Sequence, residues 1–163
     1  DLAEAMAMHC AIAGERLRSE QLEATILRVH IETSAHVKTP YMRRAASVAL
    51  AVPSNSTTEL VKAALAALEK CYIPGKYWLK GGITLFEIQP ERSRQCTLLE
   101  ACEPPDSKRN KKVMQAMDFI NAKYGRDTLR LAAQGPEKAI WHMQRNMMSP
   151  CYTTRWSDLP VVR

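Results

Sequence analysis

The chain predicts an α+β fold: an antiparallel sheet with two helices packed on one face, then a linker, then a small and mainly helical C-terminal region. Three observations lead there. Apolar residues recur at helical spacing over roughly residues 1–18, they alternate with polar ones in two following stretches, and a Pro-rich, charged segment interrupts the pattern at 88–110. In the first stretch Leu2, Met6, Cys10, Ala13 and Leu17 form one face of an amphipathic helix. In LEATILRVHIET, Leu27, Val29 and Ile31 alternate with Arg28, His30 and Glu32, the period of a strand with one buried face.

YMRRAASVALAV alternates again, with Ala46, Val48 and Leu50 on one side and Arg43, Ala45 and Ser47 on the other, and reads as a second strand antiparallel to the first. Pro53 to Ser56 break the chain, and Thr57 or Thr58 is placed to cap a helix over about 57–71. Its stripe is Val61, Ala64, Leu65, Leu68 and Tyr72. Pro74-Gly75 ends that helix, and LKGGITLFEI is a third strand with Ile83 and Leu85, and also Phe86, expected near the core.

The domains drawn from this pattern are 1–88, a linker at 89–109, and a second region at 110–163. In the second region Val113, Met117, Ile120 and Tyr124 mark a helix over about 110–124 that Gly125 caps. TLRLAAQG is expected to be a short strand, and PEKAIWHMQRNMM a further helical turn or two, with Trp141, Met143, Met147 and Met148 as local core. A region this small has little core of its own and is expected to be marginal unless something packs on it.

The formal charge of +6 is unevenly distributed. Residues 1–35 hold three arginines against six acids, whereas residues 107–163 hold 11 Lys/Arg against four acids. A basic patch fits a polyanionic partner, and equally a solvated surface. Five cysteines in no CxxC pattern argue against a disulfide framework and read as reduced thiols, and no pair among His9, Cys10, His30 and His142 has zinc-finger spacing. No apolar run is long enough to span a bilayer, and DLAEAMAMHC lacks the basic start of a secretory signal, so a cytoplasmic protein without membrane contact is expected.

Candidate function rests on two constellations. Arg28 and His30 on one strand, Arg43 with its neighbour Arg44 and Lys38 near the next, and Lys80 at the entry to the third place cations on the outward side of the sheet. The small residues between them allow close approach to a duplex, where Arg and Lys meet phosphates. In the linker, Gln95 followed by Leu98 and Leu99 suits a partner with an apolar pocket and a notch for the amide, unless the leucines simply staple the linker to its own domain. Catalysis finds no support: Asp118, Asp127 and Asp158 lie in different elements, and the chain has no Gly-rich phosphate loop and no GxSxG.

The C-terminal third is more specific. N-A-K-x-G-R-x-T-L, A-x-Q-G and S-P-x-Y-T-T-R-x-S-D-L, with GERLRSE, the PY...ASVAL segment and GGITL upstream, closely resemble the UmuC-type subunits of bacterial DNA polymerase V, in the Y family of translesion polymerases. The resemblance covers essentially the whole chain. It implies that residues 1–88 are a little-finger-like domain whose first strand lies upstream, and that the catalytic carboxylates, with the magnesium they require, lie outside this chain. No cofactor is then expected here.

The family's DNA grip maps onto Arg28, Lys38, Arg43, Arg44, Lys80 and Thr84. Its sliding-clamp motif, of the Q-x-x-L-F kind, maps onto Gln95, Leu98 and Leu99, with Leu99 in place of the aromatic. The implied partners are primer-template DNA, the sliding clamp, a UmuD-like subunit and a RecA filament, in the bacterial cytoplasm. The alternative is a protein-interaction module that binds clamp or UmuD-like partner without DNA. The closing SPCYTTRWSDLPVVR is expected to fold back on the 110–148 helices through Tyr152 and Trp156, leaving Arg155 exposed.

Overall fold

The computed structural model describes residues 1–34, 40–91, 106–136 and 147–160. Helix α1 (Leu2–Ser19) leads into strand β1 (Leu22–Glu32), β2 (Arg43–Ser54), helix α2 (Thr57–Cys71), β3 (Lys80–Pro90) and helix α3 (Asp106–Tyr124). Short 3₁₀ turns follow at Ala132–Gln134 and Trp156–Asp158. β1 lies centrally, antiparallel to β2 on one side and β3 on the other. The α+β class, the strand orientation and the two helices against the sheet agree with the sequence reading.

The core lies between the sheet and α1 and α2. Leu27, Val29 and Ile31 of β1 are buried with Met6, Ala7, Cys10 and Leu17 of α1, and with Leu60, Ala64, Ala67 and Leu68 of α2. Ala24 is also buried, although its parity is opposite to that of Leu27. The register shifts between Ala24 and Ile26, and Glu87 on β3 takes a φ of 52°, so an irregularity moves the inward face by one residue. The Cys10 thiol donates to the Leu60 carbonyl at 3.6 Å, and burial pushes its pKa up to about 12, which leaves it an inert core thiol. Gly81 lets α1 approach β3: a Cβ there would come within 2.8 Å of the Met6 methyl.

Helix α2 starts on Ser56 rather than through a threonine cap. The Ser54 hydroxyl accepts from the Ser56 N–H, and Thr57 is fully buried as the first helical residue. Tyr72 is exposed beyond the end of the helix, outside the stripe assigned to it.

The second region docks on the first. Arg18 of α1, with 9% of its side chain exposed, donates to both carboxylate oxygens of Asp118 on α3, Nε at 2.7 Å and Nη2 at 2.8 Å. Its Nη1 donates to the Asn55 carbonyl at 2.7 Å and the Thr57 hydroxyl at 3.1 Å. Lys111 pairs with Glu91 just beyond β3, Met114 is buried, and the Ala132–Gln134 turn packs against α1.

Three expectations for this region are corrected. TLRLAAQG is no strand: the Asn121 amide accepts from the Leu129 N–H and donates to the Leu129 carbonyl, which turns the chain, and a 3₁₀ turn follows. Tyr152 and Trp156 do not anchor the terminal segment, since Trp156 is 90% exposed and Tyr152 is exposed as well. Met147 and Met148 are exposed rather than local core. Trp141, His142 and Met143 lie outside the described residues. No helix among the described residues is long and apolar enough to cross a membrane.

Candidate nucleic-acid interface

Residues paired directly across antiparallel strands project to the same side, so the register assigns each side chain to a face. Opposite the helices, four rows cross the sheet in the order β2, β1, β3. They are Arg43–Glu32–Lys80, Ala45–His30–Gly82, Ser47–Arg28–Thr84 and Ala49–Ile26–Phe86. Arg28, Arg43, Lys80 and Thr84 therefore share one open face, interleaved with Ala45, Ser47, Ala49 and Gly82.

Arg44 does not belong to it. It pairs with Ile31, a core residue, so its side chain leaves the sheet on the helix side, where its charge reaches Cys71 at the end of α2. Burial pushes the Cys71 thiol up, and a backbone hydrogen bond and, to a lesser degree, the Arg44 charge pull it part of the way back. The expectation that Arg43 and Arg44 act together on the outward face is corrected by the two-residue period: neighbours on a strand cannot share a face. Lys38 and the linker residues Gln95, Leu98 and Leu99 lie outside the described residues.

Arg28 is held on the face. Its Nε donates to the Ser47 hydroxyl at 3.0 Å, and the guanidinium carbon lies 4.8 Å from the centre of the Phe86 ring, a diagonal neighbour across the strand pair. These two contacts fix the guanidinium over β2 and β3 while Arg28 stays exposed to solvent. Arg43 is more loosely held, Nε 3.0 Å from Glu32 in an ion pair on the exposed rim. Local desolvation and a hydrogen bond to the same Glu32 carboxylate raise the Tyr41 phenol pKa above its usual value. His30 lies over Gly82, where a Cβ would stand 2.7 Å from the imidazole ring. The adjacent glycines of GGITL thus serve opposite faces, Gly81 the core and Gly82 the His30 ring.

Tyr41, Glu32, Ser47 and Phe86 also belong to this surface and were not singled out from sequence. Phe86 was expected near the core, but it pairs with Ile26 on the open face. The signal that finds Glu32, Ser47 and Phe86 is the register obtained by aligning the three buried stripes, whereas Tyr41 precedes β2 and joins the surface through its hydrogen bond to Glu32. No metal-holding group of three His, Cys, Asp or Glu occurs among the described residues. Asp118 is committed to Arg18, Asp127 sits in a turn with a φ of 65°, and Asp158 accepts from the Cys151 N–H.

One titration bears on stability near neutral pH. Burial, and secondarily the charge of His30, hold the pKa of His9 on α1 below the ordinary imidazole value. A depressed base gives stability that is complete above its unfolded pKa, about 6.5, and is lost as pH falls through the folded one. Melting temperature is therefore expected to fall between about pH 7 and pH 5, and His9→Gln to flatten that part of the profile. Parallel profiles for the two proteins would show that other groups set the decline.

The description "impB/mucB/samB family C-terminal domain" matches residues 1–98, and a second, "domain of unknown function", matches residues 111–162. Among curated proteins, the chain is 32% identical over 163 residues to Protein SamB of Salmonella typhimurium, covering 98% of this chain and 37% of that protein. It is 32% identical over 164 residues to Protein UmuC of Salmonella typhimurium, covering 100% of this chain and 38% of that protein. To Protein MucB of Escherichia coli it is 28% identical, covering 99% and 37%. The chain thus spans well under half the length of the curated relatives it matches. No solved structure matches it.

Proposed function

The chain belongs to the impB/mucB/samB family, and on that premise we propose that it is the non-catalytic, DNA-holding part of an error-prone translesion DNA polymerase of the bacterial SOS response. The observation that supports this reading is the open sheet face, where Arg28, Arg43 and Lys80 stand on three different strands among residues small enough for a backbone to approach. Phosphates are the natural ligands of such a face. Phosphate contacts carry no sequence information, so binding through them would position a primer-template duplex without selecting its sequence. Gln95, Leu98 and Leu99 would tether the polymerase to the sliding clamp, and further contacts would go to a UmuD-like subunit and a RecA filament in the cytoplasm. Nucleotidyl transfer and its magnesium are assigned to residues outside this chain.

A labelled primer-template duplex titrated with the chain at several salt concentrations tests the DNA reading. Binding that weakens steeply with salt is expected, together with indifference to sequence and no nucleotide incorporation. The rival, a module for protein partners alone, predicts no duplex binding at low or moderate salt. The tether is tested separately with Gln95→Ala, Leu98→Ala and Leu99→Ala combined. Undiminished clamp binding by that variant would sink it.

A further inference from the structure

The outer face of α3 has a pattern that neither the sheet nor the clamp motif uses. Its inner side is committed: Met114 is buried, Asp118 holds Arg18, and Asn121 closes the turn to Leu129. On the opposite side Arg109, Lys112, Ala116, Phe119 and Lys123 recur at intervals of three and four, with Val113 and Tyr124 on the flank of that stripe. Its large apolar members are open to solvent, Val113 at 52%, Phe119 at 65% and Tyr124 at 67% exposed. A surface helix whose inner face is already packed has no folding reason to present a second apolar seam.

Charge decides what covers it. Between Arg109 and Tyr124 the sole carboxylate is Asp118, which is turned inward onto Arg18, so the outward stripe is rimmed by Arg109, Lys112 and Lys123 with no acid among them. The Lys123 ammonium lies 5.2 Å from the Tyr124 ring centre, directing a cation along the seam. A second copy would bring the same cations against these, and like charges across an interface oppose association. A duplex would leave Val113 and Phe119 facing phosphates. We propose that the outer face of α3 is a docking surface for an acidic amphipathic protein segment, whose apolar side covers Val113, Phe119 and Tyr124 while its carboxylates meet the basic rim. Because Arg18 and Lys111 anchor α3 beside Asn55 and Glu91, this surface lies toward the end of the strands remote from Arg43, Glu32 and Lys80. A partner there leaves that end of the sheet face accessible.

The probe is a labelled helical peptide of about 18 residues with leucines at intervals of three and four and glutamates elsewhere. Two control peptides accompany it, one with lysine in place of glutamate and one with the leucines replaced by serine. The full chain is expected to bind the first and neither control. Phe119→Ser with Val113→Ser is expected to weaken binding at least about tenfold, as is Lys112→Glu with Lys123→Glu, while Arg28→Ala leaves it unaltered. All four substituted positions on α3 point away from Arg18, and an unchanged melting curve confirms that docking is intact. Equal binding of the acidic and basic peptides, indifference to both double variants, or no binding at all would overturn the proposal. So would self-association through Phe119, or capture of anionic lipid vesicles or duplex DNA by this stripe in place of the peptide.

Discussion

Replacing Arg18 with alanine is expected to destabilise the chain by about 3 kcal/mol, read as a shift in the urea midpoint without a change in slope. Removing one member of a buried pair costs ~3–5 kcal/mol, and the 27% exposure of the Asp118 side chain places this pair at the lower end. The damage extends beyond the ion pair. The guanidinium also satisfies the Asn55 carbonyl and the Thr57 hydroxyl at the start of α2, so the deletion strands acceptors in the first region as well as the carboxylate of the second.

Arg18→Lys should recover little, because an ammonium cannot make parallel bonds to Asp118 and reach Asn55 at once. Asp118→Ala should be milder and local: amide exchange should quicken over α3 while β1 keeps its protection. A loss below about 0.5 kcal/mol for Arg18→Ala, the range of an ordinary surface substitution, would show that α3 docks by other means.

This contact also marks where sequence reasoning stops. The strands were legible because each buries one face: Leu27, Val29 and Ile31, then Ala46, Val48 and Leu50, repeat with period two whatever their neighbours are. α1 and α2 were legible from their apolar stripes in the same way. Arg18 and Asp118 stand 100 positions apart, and each alone reads as a charge on the polar flank of a helix. Only the docking geometry makes them a pair. Likewise Thr128 to Leu131 alternate as a strand would, yet the Asn121 side chain takes both backbone groups of Leu129 that a ladder would have used, and the segment turns instead.

At the candidate site the basic residues were visible, but their faces follow from parity, and parity separates Arg43 from Arg44. Phe86 was missed for a related reason. Bulk and hydrophobicity favour the core, whereas pairing with Ile26 puts it on the open face, where the Arg28 guanidinium covers the ring.

Parity makes the second large effect discriminating. Arg28→Ala, Arg43→Ala and Lys80→Ala combined should lower duplex affinity by about tenfold to a hundredfold at low salt. The dependence of log affinity on log salt should flatten by close to three units, about 0.9 for each phosphate that is no longer neutralised. Arg44→Ala removes the same charge from an adjacent position on the same strand, but from the helix side, and should leave the slope nearly unchanged. Net charge alone predicts that any arginine counts equally, so the contrast separates a positioned face from diffuse attraction. Glu32→Gln adds a test of opposite sign. It removes the one carboxylate in the Arg43–Glu32–Lys80 row, releases Arg43 from its ion pair, and should raise affinity a few-fold. If Arg44→Ala flattens the slope as much as Arg43→Ala does, or Glu32→Gln weakens binding, the duplex does not lie on this face.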